Sequence, residues 1–277
     1  MKKLISAGLA RLKKDKIFWI CLIALLLYTL ISMLNSCRQA LLPEMSEYAY
    51  TLDRYYYSYS LHIGLFCAVF ISLHINTEYR DGTMRNKIIT GHGRLEIYLS
   101  NLIVSLTAIL SMLLVCLAGG LAGIPFIGPW QSFQKLAVYL LISLLYVAAY
   151  TAIFTLVSML FTHKALSQIL TILLFLGLLL LAGNLYTALQ EPEMISDITI
   201  SMEEGMKMAD PTPNPKYVSG ELRNVYQFLV DFLPTGQCLQ MYSSEIAHPL
   251  RMMLSSLSIF IGTTAIGIVF FRRKDLN

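Results

Sequence analysis

Apolar residues in this chain run in long unbroken blocks, and the polar residues are gathered into the gaps between them. Six blocks are long enough to cross a bilayer core, which takes roughly 17–25 residues of helix. They are Ile17 to Leu34, Tyr59 to Ile75, Ile97 to Gly123, Leu136 to Phe161, Leu166 to Leu189 and Met252 to Phe271. Inside lipid every peptide group needs an internal partner. Continuous runs of this length satisfy that as helices, whereas barrel strands alternate over about ten residues. The pattern predicts an all-α integral membrane protein with six transmembrane helices in one domain over residues 1–277. The second block is short and carries His62 and His74, and only Thr162 to Ala165 separate the fourth from the fifth.

Ahead of the first block, residues 1–16 place Leu4, Ile5, Leu9 and Leu12 on one side of a helix, with Lys2, Lys3, Lys13 and Lys14 mostly on the other. Such a segment can lie in the interface, with its lysines near anionic headgroups; composition alone equally allows a plain basic flank. The first block is longer than a signal-peptide core, and Asn35, Ser36 and Cys37 supply no small-x-small cleavage site, so it reads as a span.

Composition agrees with the pattern: 56% of residues are hydrophobic and 14% charged, against about 25% charged in an ordinary soluble domain. With the N-terminus in the cytoplasm, fourteen of the 21 Lys and Arg fall on the inner side, on about half as much chain as the outer seven. The positive-inside rule therefore predicts both termini inside. The net charge of +4 reads as a topology signal and not as nucleic-acid binding.

The expected outer loops are unequal. Residues 35–58 contain Tyr55, Tyr56 and Tyr57, and with Tyr59 these suit an interfacial aromatic belt, with ligand stacking as the alternative. Pro125, Gly128, Pro129 and Trp130 read as a turn with an interface anchor. The segment 190–251 is the longest: its first half, with Pro192, Asp197, Glu203, Glu204, Pro211 and Pro213, predicts irregular chain. In its second half Val225, Phe228, Leu229 and Phe232 fit a short amphipathic helix that Pro234 breaks before Gln237 to Ser244, so short helices dip back toward the outer leaflet.

Cys21, Cys67 and Cys116 fall inside spans as small apolar residues, and Cys37 and Cys238 share the outer side, where a disulfide is one option. No cysteine pair has metal-ligand spacing. The chain lacks a Gly-x-x-x-x-Gly-Lys-Ser/Thr phosphate loop, a His-Glu-x-x-His motif and a Gly-x-Ser-x-Gly motif, so it is not expected to hydrolyse ATP or to be an enzyme. The spans hold no Asp, Glu, Lys or Arg at depth, which argues against an ion-coupled secondary transporter and against a membrane-embedded enzyme or sensor. His62, Asn101 and Asn184 are candidate cargo-path residues, although each also suits a helix-to-helix hydrogen bond.

Between the second and third spans, Asp81 or Thr83 can cap a two-turn helix through Met84, Arg85, Asn86, Lys87, Ile88 and Ile89, which Gly91 ends in a left-handed conformation. Arg85 and Lys87 are expected in water beside an apolar ridge of Met84, Ile88 and Ile89, a surface for a partner or for headgroups. The string Glu78-Tyr79-Arg80-Asp81-Gly82-Thr83-Met84-Arg85-Asn86-Lys87, followed by Gly91 and Arg94, resembles the corresponding segment of ABC-2 type permeases of Gram-positive bacteria. These are the membrane subunits of ATP-binding cassette exporters. Phe232-Leu233-Pro234-Thr235-Gly236-Gln237 and the basic tail Phe270 to Leu276 are also similar to theirs.

The resemblance implies an exporter subunit in the bacterial cell membrane, paired with a second copy or paralogue. It also implies docking of a cytoplasmic ATPase on Gly82 to Gly91, with ATP and magnesium bound by that partner and no cofactor on this chain. Glu78, Gly82, Thr83, Arg85, Asn86, Lys87, Gly91 and Arg94 are the residues it assigns to coupling. Residues 1–16 match the family's connecting helix. Glu78 is left to pair with Arg80 or with a cation of the partner. The apolar spans suit a hydrophobic or amphipathic cargo such as a peptide, drug or lipid.

Overall fold

The computed structural model describes residues 1–41, 52–125, 132–161, 163–196, 198–201, 205–208 and 210–274. Gly128, Pro129 and Trp130 of the expected turn, Asp197, Glu203 and Glu204 of the acidic stretch, and Asp275 and Leu276 of the tail lie outside these residues. Helix α1 (Lys2–Lys14) leads into α2 (Lys16–Ala40), and a short α3 (Leu52–Tyr56) precedes α4 (Ser60–Arg80), α5 (Thr83–Ile89) and α6 (Arg94–Gly120). Then follow α7 (Phe133–Leu160), α8 (Lys164–Gln190), α9 (Gly220–Phe232), α10 (Pro234–Tyr242) and α11 (Pro249–Arg273). Six of these, α2, α4, α6, α7, α8 and α11, are long and apolar enough to cross a membrane. The shortest, α4, has 21 residues, about 31 Å of helix at 1.5 Å per residue.

Helix α4 is the least hydropathic of the six, and 61% of its apolar window is buried, the highest share. It is the central helix, packed against α2, α6, α7, α8 and α10. Its polar side chains Ser60, Ser72, His74, Asn76 and Glu78 are buried against protein and not against lipid. Close approach requires Gly64, where a Cβ would lie 2.4 Å from the Phe175 ring. Around it the core is built from tyrosines: Tyr57, Tyr59, Tyr98, Tyr146 and Tyr150 are fully buried, and Tyr59 and Ser143 share a 2.9 Å hydrogen bond. By contrast α2, α8 and α11 are at most 28% buried and keep broad apolar outer faces.

The segment after α8 departs from the expectation of irregular chain. Two small antiparallel ladders form, β1 (Met194–Ile195) with β4 (Thr212–Pro213) and β2 (Ile198–Ser201) with β3 (Gly205–Met208). Apolar residues alternating with polar ones in Ile198-Thr199-Ile200-Ser201 favour a strand despite the acidic neighbours.

Pro234 separates α9 from α10, and α10 packs into the bundle against α4, α7 and α8. Ser60 Oγ donates to the Cys238 carbonyl at 2.9 Å, Thr235 Oγ1 to Leu178 O at 3.0 Å, and Gln237 Nε2 to Met252 O at 3.0 Å. Cys37 and Cys238 are both free and buried, and Cys238 packs beside the Tyr150 hydroxyl, so the disulfide option is excluded in this structure. These contacts fall at the opposite end of the bundle from α5.

Candidate functional site

The chain between α4 and α6 folds as a helix–turn–helix corner set by two glycines. Gly82 adopts φ 67, a left-handed conformation that ends α4, and it is also the N-cap of α5. Its amide donates to Tyr79 O at 3.1 Å, and Thr83 Oγ1 donates to the Glu78 carbonyl at 2.9 Å. Neither Asp81 nor Thr83 caps α5 through its side chain: Asp81 instead accepts from Arg80 Nε at 3.0 Å, and Thr83 is spent on α4. At the far end Gly91, φ 84, closes α5 as expected. Gly91 N–H reaches Ile88 O at 2.9 Å and His92 N–H reaches Lys87 O at 3.1 Å, the paired bonds of a Schellman motif.

Lys87 faces inward, not into water. Its Nζ lies 2.7 and 2.9 Å from the two carboxylate oxygens of Glu78 and 3.4 Å from Asn101 Oδ1. Lys87 is 9% exposed and Glu78 4%, so the ion pair is buried. A second cation comes from α1: Arg11 Nη1 donates to Glu78 Oε1 at 2.8 Å and to Thr83 Oγ1 at 3.3 Å. Glu78 therefore pairs within its own chain and not with Arg80. Asn101 completes the cluster by pointing its amide at the sulfurs of Met84 and Met159.

Turning Lys87 and Met84 inward leaves Arg85, Asn86, Ile89 and Thr90 as the exposed face of α5, with Ile89 at 73% exposure. The apolar ridge expected there is thus split: Met84 is buried, Ile88 is half-buried and Ile89 stands in the open.

Three further side chains, Asp15, Arg94 and Lys274, fix the surroundings. Asp15 caps α2 by accepting from Ile17 N–H at 2.8 Å, and its other oxygen meets His74 Nδ1 at 3.1 Å, a second tie between the α1–α2 corner and α4. The His74 hydrogen bond holds the Asp15 carboxyl below its ordinary range, helped by the Ile17 amide and opposed by burial. Arg94 does not join the Glu78 cluster: it caps the end of α11, donating to Phe271 O at 3.4 Å, Arg272 O at 3.0 Å and Lys274 O. Lys274 then reaches Met159 O at 2.7 Å and lies over the Tyr79 ring, where burial lowers its pKa to about 8.

His62, Asn101 and Asn184 do not share a cavity. His62 packs on Tyr28 at 4.2 Å between ring centroids and lines an opening of about 730 Å³ with Tyr55, Tyr186 and Tyr242. Asn101 belongs to the Glu78 cluster at the other end of the bundle, and Asn184 is exposed on α8. Sequence reasoning missed Arg11, Asp15 and His74 as members of the site. One signal was present: Asp15 is the lone acid among the first sixteen residues and stands two positions before the apolar run that opens at Ile17, where a helix N-cap is expected.

A comparison with protein families matches residues 4–178 to the family described as ABC-2 family transporter protein. No curated protein matches the chain. The matched stretch runs from α1 into α8 and contains every residue of the Glu78 cluster. With six membrane-capable helices and a match over more than half its length, the chain belongs to the ABC-2 family of transporter proteins and is a permease, a membrane protein of transmembrane transport.

Proposed function

We propose that this permease is the membrane subunit of an ABC exporter and that α5 is where a separate cytoplasmic ATPase delivers force. The observation that carries the reading is the two-faced character of α5. Arg85, Asn86 and Ile89 are open to a partner, while Lys87 on the opposite face is held in a buried ion pair to α4. A cation, an amide and an exposed isoleucine on one short face offer charge and apolar contact together. This orientation puts both termini in the cytoplasm, in the plasma membrane of a bacterium, with ATP and magnesium bound by the partner. The apolar outer faces of α2, α8 and α11 supply the surface on which a second permease copy or paralogue pairs. Cargo leaves outward, and the sparsely charged spans favour a hydrophobic or amphipathic one.

The test is co-purification with an ABC ATPase encoded by a neighbouring reading frame and co-expressed with this chain. Arg85→Glu combined with Ile89→Asp changes only exposed side chains, so the protein should insert and purify as before. Recovery of the ATPase and its cargo-stimulated hydrolysis should both fall by tenfold or more, the loss of about 1.4 kcal/mol of binding. An unchanged yield of complex with unchanged hydrolysis would remove α5 from the coupling role.

A further inference from the structure

At the corner where α1, α2, α4 and α8 meet lies a cavity of about 460 Å³ whose wall carries more cations than carboxylates. Arg11, Lys14, Lys16, Arg80 and Lys164 line it, together with the carboxylates of Asp15, Glu78 and Asp81. Each of those carboxylates already has a partner: Asp15 has His74, Glu78 has Arg11 and Lys87, and Asp81 has Arg80. Lys14, Lys16 and Lys164 have no hydrogen bond or ion pair among the described residues, although they come from three different elements to one cavity. Like charges brought together without a counter-charge repel one another. Lys16 and Lys164 also occupy the first turns of α2 and α8, where the helix dipole disfavours a cation.

We propose that this cavity binds a phosphate-bearing anion, with Lys14, Lys16 and Lys164 as its ligands. Ammonium groups act on phosphate as compact point charges and need no fixed fork geometry, which suits three lysines on separate helices. The phosphate belongs either to an anionic phospholipid headgroup or to a soluble phosphate. The surroundings favour the lipid: Ile20, one turn beyond Lys16 on the same face of a membrane-capable helix, is 64% exposed. An acyl chain can run along that surface while the headgroup sits in the cavity. The anion site stands on side-chain placement alone; only the choice of the cytoplasmic leaflet rests on the orientation proposed above.

The experiment uses the purified full chain in neutral detergent, without an ATPase. Phosphatidylglycerol and phosphatidylcholine are titrated and adducts counted by native mass spectrometry, and inorganic phosphate is titrated separately against thermal unfolding. Phosphatidylglycerol should be retained over phosphatidylcholine. The triple variant Lys14→Gln, Lys16→Gln, Lys164→Gln should weaken retention about a hundredfold, at roughly fivefold per lysine near the surface. The variant Lys135→Gln, Lys216→Gln, which lies outside the cavity and outside the interfacial segment, should bind as the wild type does. Stabilisation by millimolar phosphate that the triple variant abolishes, without lipid selectivity, would identify a soluble phosphate as the source and uphold the site. Absence of both responses, or equal losses in the two variants, would reduce the lysines to a solvated flank and overturn the proposal. Because no ATPase is present, this result is independent of whether α5 docks one.

Discussion

Charge removal at Glu78 and at Lys87 should not be equivalent. In Glu78→Gln the ammonium of Lys87 stays 9% exposed and loses its counter-charge, keeping only neutral acceptors: the new amide oxygen and Asn101 Oδ1, 3.4 Å away. Breaking a buried pair in this way costs about 3–5 kcal/mol, because an uncompensated charge stays behind. In Lys87→Met the carboxylate of Glu78 keeps the Arg11 bond at 2.8 Å, and Arg11 is 42% exposed and hydrated. The loss is then nearer one charged hydrogen bond, about 1.5–3 kcal/mol. The double variant Glu78→Gln, Lys87→Met removes both charges and should recover most of the stability lost in Glu78→Gln, since neutral replacement of a whole buried pair is often close to neutral in effect.

Thermal unfolding of detergent-solubilised protein can be followed with a thiol-reactive dye, because the five free cysteines are all buried in the folded chain. At roughly 2–4 °C per kcal/mol for a chain of this size class, Glu78→Gln should lower the midpoint by about 6–20 °C and Lys87→Met by about 3–12 °C. The order of the three variants is the critical result. If Lys87→Met is as damaging as Glu78→Gln, or the double variant is as unstable as the worse single one, the Glu78 cluster is not organised as described.

Gly91→Ala should destabilise by about 1–2 kcal/mol through backbone strain, because at φ 84 an L-residue is disfavoured although no atom lies within 4 Å of the added carbon. Faster hydrogen exchange at the Gly91 and His92 amides should accompany it. Asp231 is fully buried and accepts from Gln227, Gln240, His248 and Arg251, so Asp231→Ala should cost about 3 kcal/mol or more and speed dye labelling of the adjoining Cys238. The Asp15–His74 tie should be sensitive to acid. Because the folded carboxyl is depressed, its contribution is present above the ordinary carboxylate range and disappears as pH falls through the lower folded value. Hydrogen exchange in α1 should rise in that acidic window, and Asp15→Asn should remove the step.

Hydropathy located six helices well because lipid exposure and apolar composition coincide for α2, α8 and α11. It ended the second span at Ile75, whereas α4 continues to Arg80. The reason is physical: Asn76 and Glu78 are covered by protein, and a hydropathy window reads them as though lipid were the only alternative to water. The direction of Lys87 was recoverable in principle. Met84, Lys87 and Ile88 are spaced three and four apart and share a face, so a buried Met84 carries Lys87 inward with it. Composition argued the other way, since a lysine is seldom buried without a partner, and the partner, Glu78, stands nine residues back across a turn. The Asp231 cluster was illegible for a similar reason: only Gln227, one turn back on α9, is local, and the other donors come from α10, α11 and the turn between them.

The two cations on Glu78 decide how a push on α5 would travel. Lys87 ties α5 to the end of α4, and Arg11 ties α1 to the same carboxylate, so three elements meet on one buried group. For α5 to move alone it must pull Lys87 from Glu78 and leave both charges behind protein walls, at the several kcal/mol estimated above for a broken buried pair. Moving α5, the Arg80 end of α4 and α1 together breaks no such pair. A displacement of α5 would therefore pass to α4 first, and α4 is the helix around which the others are packed. Arg94 lies outside this unit, holding α11 to the start of α6 through backbone carbonyls. The joint between α5 and α6, where no atom lies within 4 Å of a Cβ placed at Gly91 or Gly93, is the uncrowded point beside the pair, whereas α1 is also packed on α6, with Gly8 against Val104, so α6 takes up part of the same displacement.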